Sequence, residues 1–122
     1  MRKSILAVDD SITMRQTISI VLEKEDYKVT TANDGKDALN KLNGSERFNL
    51  IITDVNMPNM DGITFTSEAR KLAQYKFTPI IMVTTESQAS KKEEGKKAGA
   101  TGWIVKPFQP EQLLAVVKKV CP

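Results

Sequence analysis

Two consecutive aspartates, Asp9-Asp10, follow the apolar run Ser4-Ile5-Leu6-Ala7-Val8. Asp54 follows Leu50-Ile51-Ile52-Thr53, and Lys106 follows Trp103-Ile104-Val105. Short runs rich in β-branched residues read as buried parallel strands. Three carboxylates and one ammonium are therefore expected to gather at one edge of a single sheet. Carboxylates held close together repel, and one protonates unless a cation neutralises them. If all four groups are ionised they carry about −2, and one divalent cation brings that near zero. Carboxylate, carbonyl and water oxygens suit Mg²⁺, which takes few protein ligands and keeps several waters. A phosphoryl group would restore negative charge, shared by the metal and Lys106. An aspartate can act as nucleophile and form an aspartyl phosphate. Thr84, ending Ile80-Ile81-Met82-Val83-Thr84, brings a hydroxyl to the same edge to donate to a phosphoryl oxygen. Such a transfer rests on positioning and charge stabilisation.

Each of these residues also has an ordinary structural use. Asp9-Asp10-Ser11 can cap a helix, Asp54 can sit in a loop, Lys106-Pro107 can form a turn, and Thr84 is a good strand residue. What favours chemistry is the conjunction, because all four fall at the carboxyl ends of alternating strands.

The 122-residue chain is long enough for one domain with a real core. It has no apolar run near the ~18 residues a membrane span needs, and the run after Met1-Arg2-Lys3 is too short for a secretory signal. Histidine is absent and Cys121 is the only cysteine. That excludes a Ser-His-Asp triad, a His-ligated zinc, a phosphohistidine on this chain, a multi-Cys metal cluster and an internal disulfide; the cysteine usage fits the cytoplasm. The net charge of +3 does not call for a nucleic-acid partner.

Helical patterns alternate with the strands. Ser11 can cap a first helix with Met14, Ile18, Val21 and Leu22 as its apolar positions. Tyr27 to Ala32 reads as a second, more polar strand. Ala38, Leu39 and Leu42 mark a second helix that Gly44 can stop. Val55-Asn56-Met57-Pro58-Asn59-Met60 is a loop by its Pro and Asn content, and a third helix is expected from about Asp61 through Leu72. The fourth helix, roughly Ser87 to Lys97, has little apolar content beyond Ala89 and carries six charged residues at 91–94 and 96–97, so it should bury little and be marginal. Its lysines read as a solvated face, or as a surface for an acidic partner. Gly99 can end it. Pro110 opens a fifth helix with Leu113, Leu114, Val117 and Val120 as its stripe, and Lys118 and Lys119 suit its negative end. The expected architecture is α/β, a flavodoxin-like (βα)5 fold with a five-stranded parallel sheet in the order 2-1-3-4-5. Its topological switch point lies between the first and third strands, whose ends carry Asp9-Asp10 and Asp54.

Asp9-Asp10-Ser11, Asp54 with Met57-Pro58 and Asp61-Gly62, Thr84, and Lys106-Pro107-Phe108 together resemble a response-regulator receiver domain over essentially the whole chain. The resemblance implies that Asp54 is the phosphoacceptor. It implies direct Mg²⁺ ligation by Asp10, Asp54 and the backbone carbonyl of Asn56, with Asp9 acting through water. Thr84 and Lys106 would hold the phosphoryl group, and the Lys106-Pro107 bond would be cis. Ser11-Ile12-Thr13-Met14-Arg15, Asn56-Met57-Pro58-Asn59-Met60-Asp61-Gly62 and Glu86 are most similar to stand-alone chemotaxis regulators of the CheY type. In that group the positions of Asn56 and Glu86 tune hydrolysis. Trp103 stands where tyrosine or phenylalanine is frequent and would be the switch aromatic. Thr85 is bulkier than the alanine common after the switch threonine.

The function expected on these grounds is a phosphorylation-controlled signalling module of a two-component system. It would comprise residues 1–122 as a single receiver domain with no output domain. A CheA-like histidine kinase would be the phosphodonor. An effector such as the flagellar motor switch would bind the face of helix four, strand five and helix five, and a phosphatase could reset it. The module would be a cytoplasmic monomer with no nucleic-acid or membrane partner, catalysing only its own phosphorylation and dephosphorylation. A phosphorelay intermediate, a phosphate sink, or a receiver excised from a larger regulator or hybrid kinase would carry the same residues. A phosphatase with an aspartyl-phosphate intermediate would want a general acid where Asn56 stands. A flavodoxin would want a phosphate loop where Asp9-Asp10 stand.

Overall fold

In the computed structural model, which describes residues 2–85 and 90–121, strands and helices alternate along the chain. The strands are β1 (Ser4–Val8), β2 (Lys28–Ala32), β3 (Leu50–Asp54), β4 (Ile80–Thr85) and β5 (Gly102–Lys106). The helices are α1 (Ile12–Glu23), α2 (Gly35–Leu42), α3 (Gly62–Arg70), α4 (Lys91–Ala98) and α5 (Pro110–Val120), and a 3₁₀ turn spans Ala73–Tyr75. The five strands pair in parallel in the order β2-β1-β3-β4-β5, as the alternation predicts.

Strand side chains alternate between the two faces, so each central strand feeds two cores. Ile5, Ala7, Leu50, Ile52, Ile81, Val83 and Ile104 meet Ile18 and Leu22 of α1 and Leu113 and Val117 of α5. Leu6, Val8, Ile51 and Ile80 meet Ala38, Leu42, Phe65, Ala69 and Tyr75 on the other side. Every residue of β3 is buried. Within the stripes expected for α1 and α5, Met14, Val21, Leu114 and Val120 are only partly buried.

Local signals set the ends. Ser11 Oγ accepts from the Met14 amide at 3.3 Å, and Asp61 Oδ1 from the Thr64 amide at 2.7 Å. Asp61 is thus the cap of α3 rather than its first residue. The helix stops at Arg70, whose guanidinium gives Gly99 O 3.0 and 2.8 Å bonds and reaches Tyr75 O and Thr78 O at 2.8 and 2.6 Å. Leu72 then lies in the turn beyond.

Helix α4 is as poor in apolar contact as its composition implies: its buried residue is Gly95, where a Cβ would stand 2.6 Å from Met82 Sδ. The described helix starts at Lys91, later than the expected Ser87, and Ser87 and Ala89 lie outside the described residues. Lys96 and Lys97 are exposed, Lys91 pairs with Glu94 at 3.5 Å, and Lys92 stands over the Trp103 ring. Lys118 reaches Glu25 at 2.9 Å. Among the described residues no helix is long and apolar enough to cross a membrane.

Candidate functional site

Parallel pairing brings the carboxyl ends of the strands to one edge. Val8 lies opposite Thr53, so Asp9 and Asp54 emerge side by side from β1 and β3. Asp9, Asp10 and Asp54 each offer a carboxylate oxygen within 4.8 Å of the others; Asp9 and Asp54 are buried and Asp10 is exposed. Lys106 ends β5 on the far side of β4 and reaches back to both buried carboxylates, with Nζ 3.3 Å from Asp9 Oδ2 and 3.4 Å from Asp54 Oδ1. The Lys106-Pro107 bond is cis.

These carboxylates already use part of their capacity. Asp9 Oδ1 accepts from the Ser11 amide at 2.9 Å, and Asp54 Oδ1 from the Val55 amide at 2.9 Å. Burial pushes the Asp54 carboxyl above the usual carboxylate range, the Asp9 charge pushes it further, and Lys106 and the Val55 amide oppose them. The nearby lysine therefore does not fully offset the burial of the Asp54 carboxylate. Arg15, from α1, braces the turn by donating to the Asp9 carbonyl at 2.6 Å.

Thr84 is 1 % exposed, and among the described residues its Oγ has no hydrogen-bond partner. Buried hydroxyls are normally satisfied, so this one is available to a ligand at the same edge. Asn56 is exposed on the loop that leaves Asp54. That loop closes on itself through the Gly62 amide and Val55 O at 2.8 Å, and a Cβ at Gly62 would run into the Asp54 carbonyl oxygen.

Trp103 is not part of the acidic cluster. Opposite Met82, it shares the α4-side face of the sheet with Thr84, one alternation back from the edge. It is 36 % exposed, with Lys92 Nζ 5.3 Å from its ring centroid. Glu86 lies outside the described residues.

The donor set, all oxygen with one ammonium opposite, fits a hard divalent cation of the Mg²⁺ class. The profile of the response regulator receiver domain matches residues 5–118. The chain belongs to the response-regulator receiver family. A receiver of the CheY type is a near structural relative: Vibrio cholerae chemotaxis response regulator CheY4 superposes with a TM-score of 0.93 at 52% identity, over 98% of this chain and 99% of that one. The receiver domain of sensor histidine kinase PA1611 from Pseudomonas aeruginosa, whose structure has a magnesium ion coordinated in the active-site cleft, superposes at 0.90 with 27% identity, over 98% of each chain. Staphylococcus aureus transcriptional regulatory protein SrrA is 36% identical over 118 residues, which are 97% of this receiver and 47% of SrrA. The chain thus spans about half the length of the curated relatives it matches.

Sequence reasoning overlooked two contributors to this receiver's site. Arg15 was visible only as part of a resembling motif, and Gly62 only as a neighbour of Asp61.

Proposed function

We propose that this receiver is a phosphorylation-controlled signalling module that accepts a phosphoryl group on Asp54 and thereby changes which partner it binds. The observation that carries the reading is the buried Asp9–Asp54 pair clustered with Asp10, with the Lys106 ammonium against both buried carboxylates. A phosphodonor, a histidine kinase of the CheA-like kind, would present a phosphohistidine. An Asp54 carboxylate oxygen attacks phosphorus, the N–P bond breaks, and the departing imidazole takes a proton. Asp10, Asp54 and the Asn56 carbonyl would hold Mg²⁺, with Asp9 acting through water; the bound metal would neutralise phosphoryl and carboxylate charge together. Lys106 and the Thr84 hydroxyl would take the remaining phosphoryl oxygens. Asn56 and Glu86 would set how fast water reverses the step. The chain's catalysis is confined to its own phosphorylation and dephosphorylation.

The 52% identity to a chemotaxis regulator supports a chemotaxis role, with an effector such as the flagellar motor switch on the face of α4, β5 and α5 and a phosphatase as a reset. The absence of a membrane-crossing helix among the described residues is consistent with a cytoplasmic setting. A second reading, the receiver of a longer regulator, draws support from SrrA, of which the matching region is 47%.

Intact-mass measurement after incubation with a small phosphodonor tests the central claim. The wild type with Mg²⁺ should gain one phosphoryl group. The same gain in Asp54→Asn, or in excess chelator, would defeat it.

A further inference from the structure

The loop leaving Asp54 is held at two places, and the second involves an element with no other part in the site. Asp34 is the N-cap of α2 and is 8 % exposed. Its two carboxylate oxygens do different things: Oδ1 accepts from the Asp37 amide at 2.8 Å, the ordinary cap, while Oδ2 accepts from Asn59 Nδ2 at 2.7 Å. Asn59 has φ +67°, a left-handed backbone uncommon outside glycine. Beside it the Gly35 amide donates to the Met60 carbonyl at 3.2 Å, and a Cβ on Gly35 would stand 2.7 Å from the Met60 side chain. The Asp37 amide and the Asn59 amide group both hold the Asp34 carboxyl below the usual range. Asp34 is therefore an ionised acceptor at neutral pH, and bonds to it are of the stronger, charge-assisted kind.

Of the oxygens assigned to the metal, the one on Asn56 is a backbone carbonyl. A carboxylate can be re-aimed by its side-chain torsions, whereas a carbonyl goes only where the main chain puts it. Mg²⁺ demands near-ideal octahedral geometry, so the aim of this carbonyl depends on what fixes its loop. The Val55–Gly62 closure fixes the neck. The Asp34–Asn59 bond fixes the chain on the other side of Asn56.

We infer that Asp34 and Asn59 are positioning residues for metal binding: their side-chain bond anchors the loop from the α2 N-terminus and aims the Asn56 carbonyl at the cation. The inference rests on the reading of Asp10, Asp54 and Asn56 as the metal-binding set.

Two substitutions remove the bond while leaving its neighbours in place. Asn59→Gly keeps the left-handed backbone without a side chain to donate. Asp34→Ser keeps a capping oxygen and loses the one that meets Asn59. Mg²⁺ affinity is measured by calorimetry on the folded proteins, and phosphorylation by a small phosphodonor is followed across Mg²⁺ concentration. Each single variant should bind Mg²⁺ about threefold to tenfold more weakly, below the ~10–100-fold typical of groups bonded directly to a ligand side chain. The double variant should be no weaker than the weaker single one, because one bond is lost in all three. The phosphorylation rate at saturating Mg²⁺ should stay near that of the wild type. Unchanged Mg²⁺ affinity in Asn59→Gly, or losses that multiply in the double variant, would overturn the inference. So would a lower saturated rate at unchanged affinity. Asp10→Asn is the parallel control: if it too binds Mg²⁺ like the wild type, the metal-site reading itself falls and the latch with it.

Discussion

Lys106 Nζ stands 3.4 Å from Asp54 Oδ1, although β4 lies between their strands in the sheet. The same nitrogen is 3.3 Å from Asp9 Oδ2, so one partly exposed ammonium serves two buried carboxylates. With three carboxylates facing one ammonium, the arrangement is short of positive charge.

Asp54→Asn should be more stable than the wild type at neutral pH. Asp54 has a folded-state pKa raised by burial and by Asp9. The folded protein therefore holds this proton more tightly than the unfolded chain does. The associated stability is complete below the unfolded value, about 4, and is lost as pH rises through the folded value. Asparagine has no charge to lose. Its advantage at pH 7 should be roughly 1–3 kcal/mol, the scale for one poorly compensated buried polar group, and should shrink as pH falls toward 4. Urea unfolding of both proteins across pH checks this; an advantage independent of pH would contradict it.

Lys106→Met should make the protein more dependent on Mg²⁺ for stability. Loss of the ammonium takes the local charge from about −2 to about −3, which strengthens the attraction for a divalent cation. In chelator the variant should be less stable than the wild type, and added Mg²⁺ should raise its Tm by more than it raises the wild type's. Equal Mg²⁺-induced shifts would count against the cluster as the cation site.

Gly62→Ala should be far more costly than Gly44→Ala. At Gly62 a Cβ meets the Asp54 carbonyl, Asp54 C at 3.0 Å and Val55 Cα at 3.1 Å, all backbone. At Gly44 the nearest atom is Lys41 O at 3.3 Å. The first should sit at or beyond the upper end of the roughly 1–3 kcal/mol typical of overpacking. It should also weaken Mg²⁺ binding, since the displaced backbone belongs to Asp54. Urea midpoints and Mg²⁺ titration check both.

Trp103 emission should report occupation of the phosphoryl site through Thr84. If a beryllofluoride-type mimic draws the unpartnered Thr84 hydroxyl toward it, space opens on the face that Trp103 shares, and interior packing makes the response discrete. The outward ring is held by Lys92, a contact worth about 0.5–1 kcal/mol at an exposed site. The mimic should shift wild-type emission to the blue, leave Thr84→Ala unshifted, and shift Lys92→Ala at a lower mimic concentration. An equal shift in wild type and Thr84→Ala would reject the coupling.

The sequence by itself determined the alternation of elements, the strand order and the residues that reach the acidic edge of the sheet. Apolar runs such as Ile5–Val8 and Leu50–Thr53 can bury both faces only in a parallel sheet covered on two sides, and a polar residue ending such a run must emerge at the sheet's carboxyl edge. Ser11 was legible as a cap because capping is local, whereas Asp61 was read as the first residue of its helix, since a helix boundary is blurred by a residue or two in the sequence pattern. Tertiary structure decided what depends on contacts between distant segments. Asp34 and Asn59 are 25 residues apart, and each alone reads as a cap or a loop residue. Arg70 looks like one more charge near a helix end until its guanidinium is seen bonded to three carbonyls from two other segments. The raised pKa of Asp54, the hydroxyl of Thr84 with no partner among the described residues, and the outward ring of Trp103 belong with these, because burial and partner geometry are properties of the packed molecule rather than of any stretch of chain.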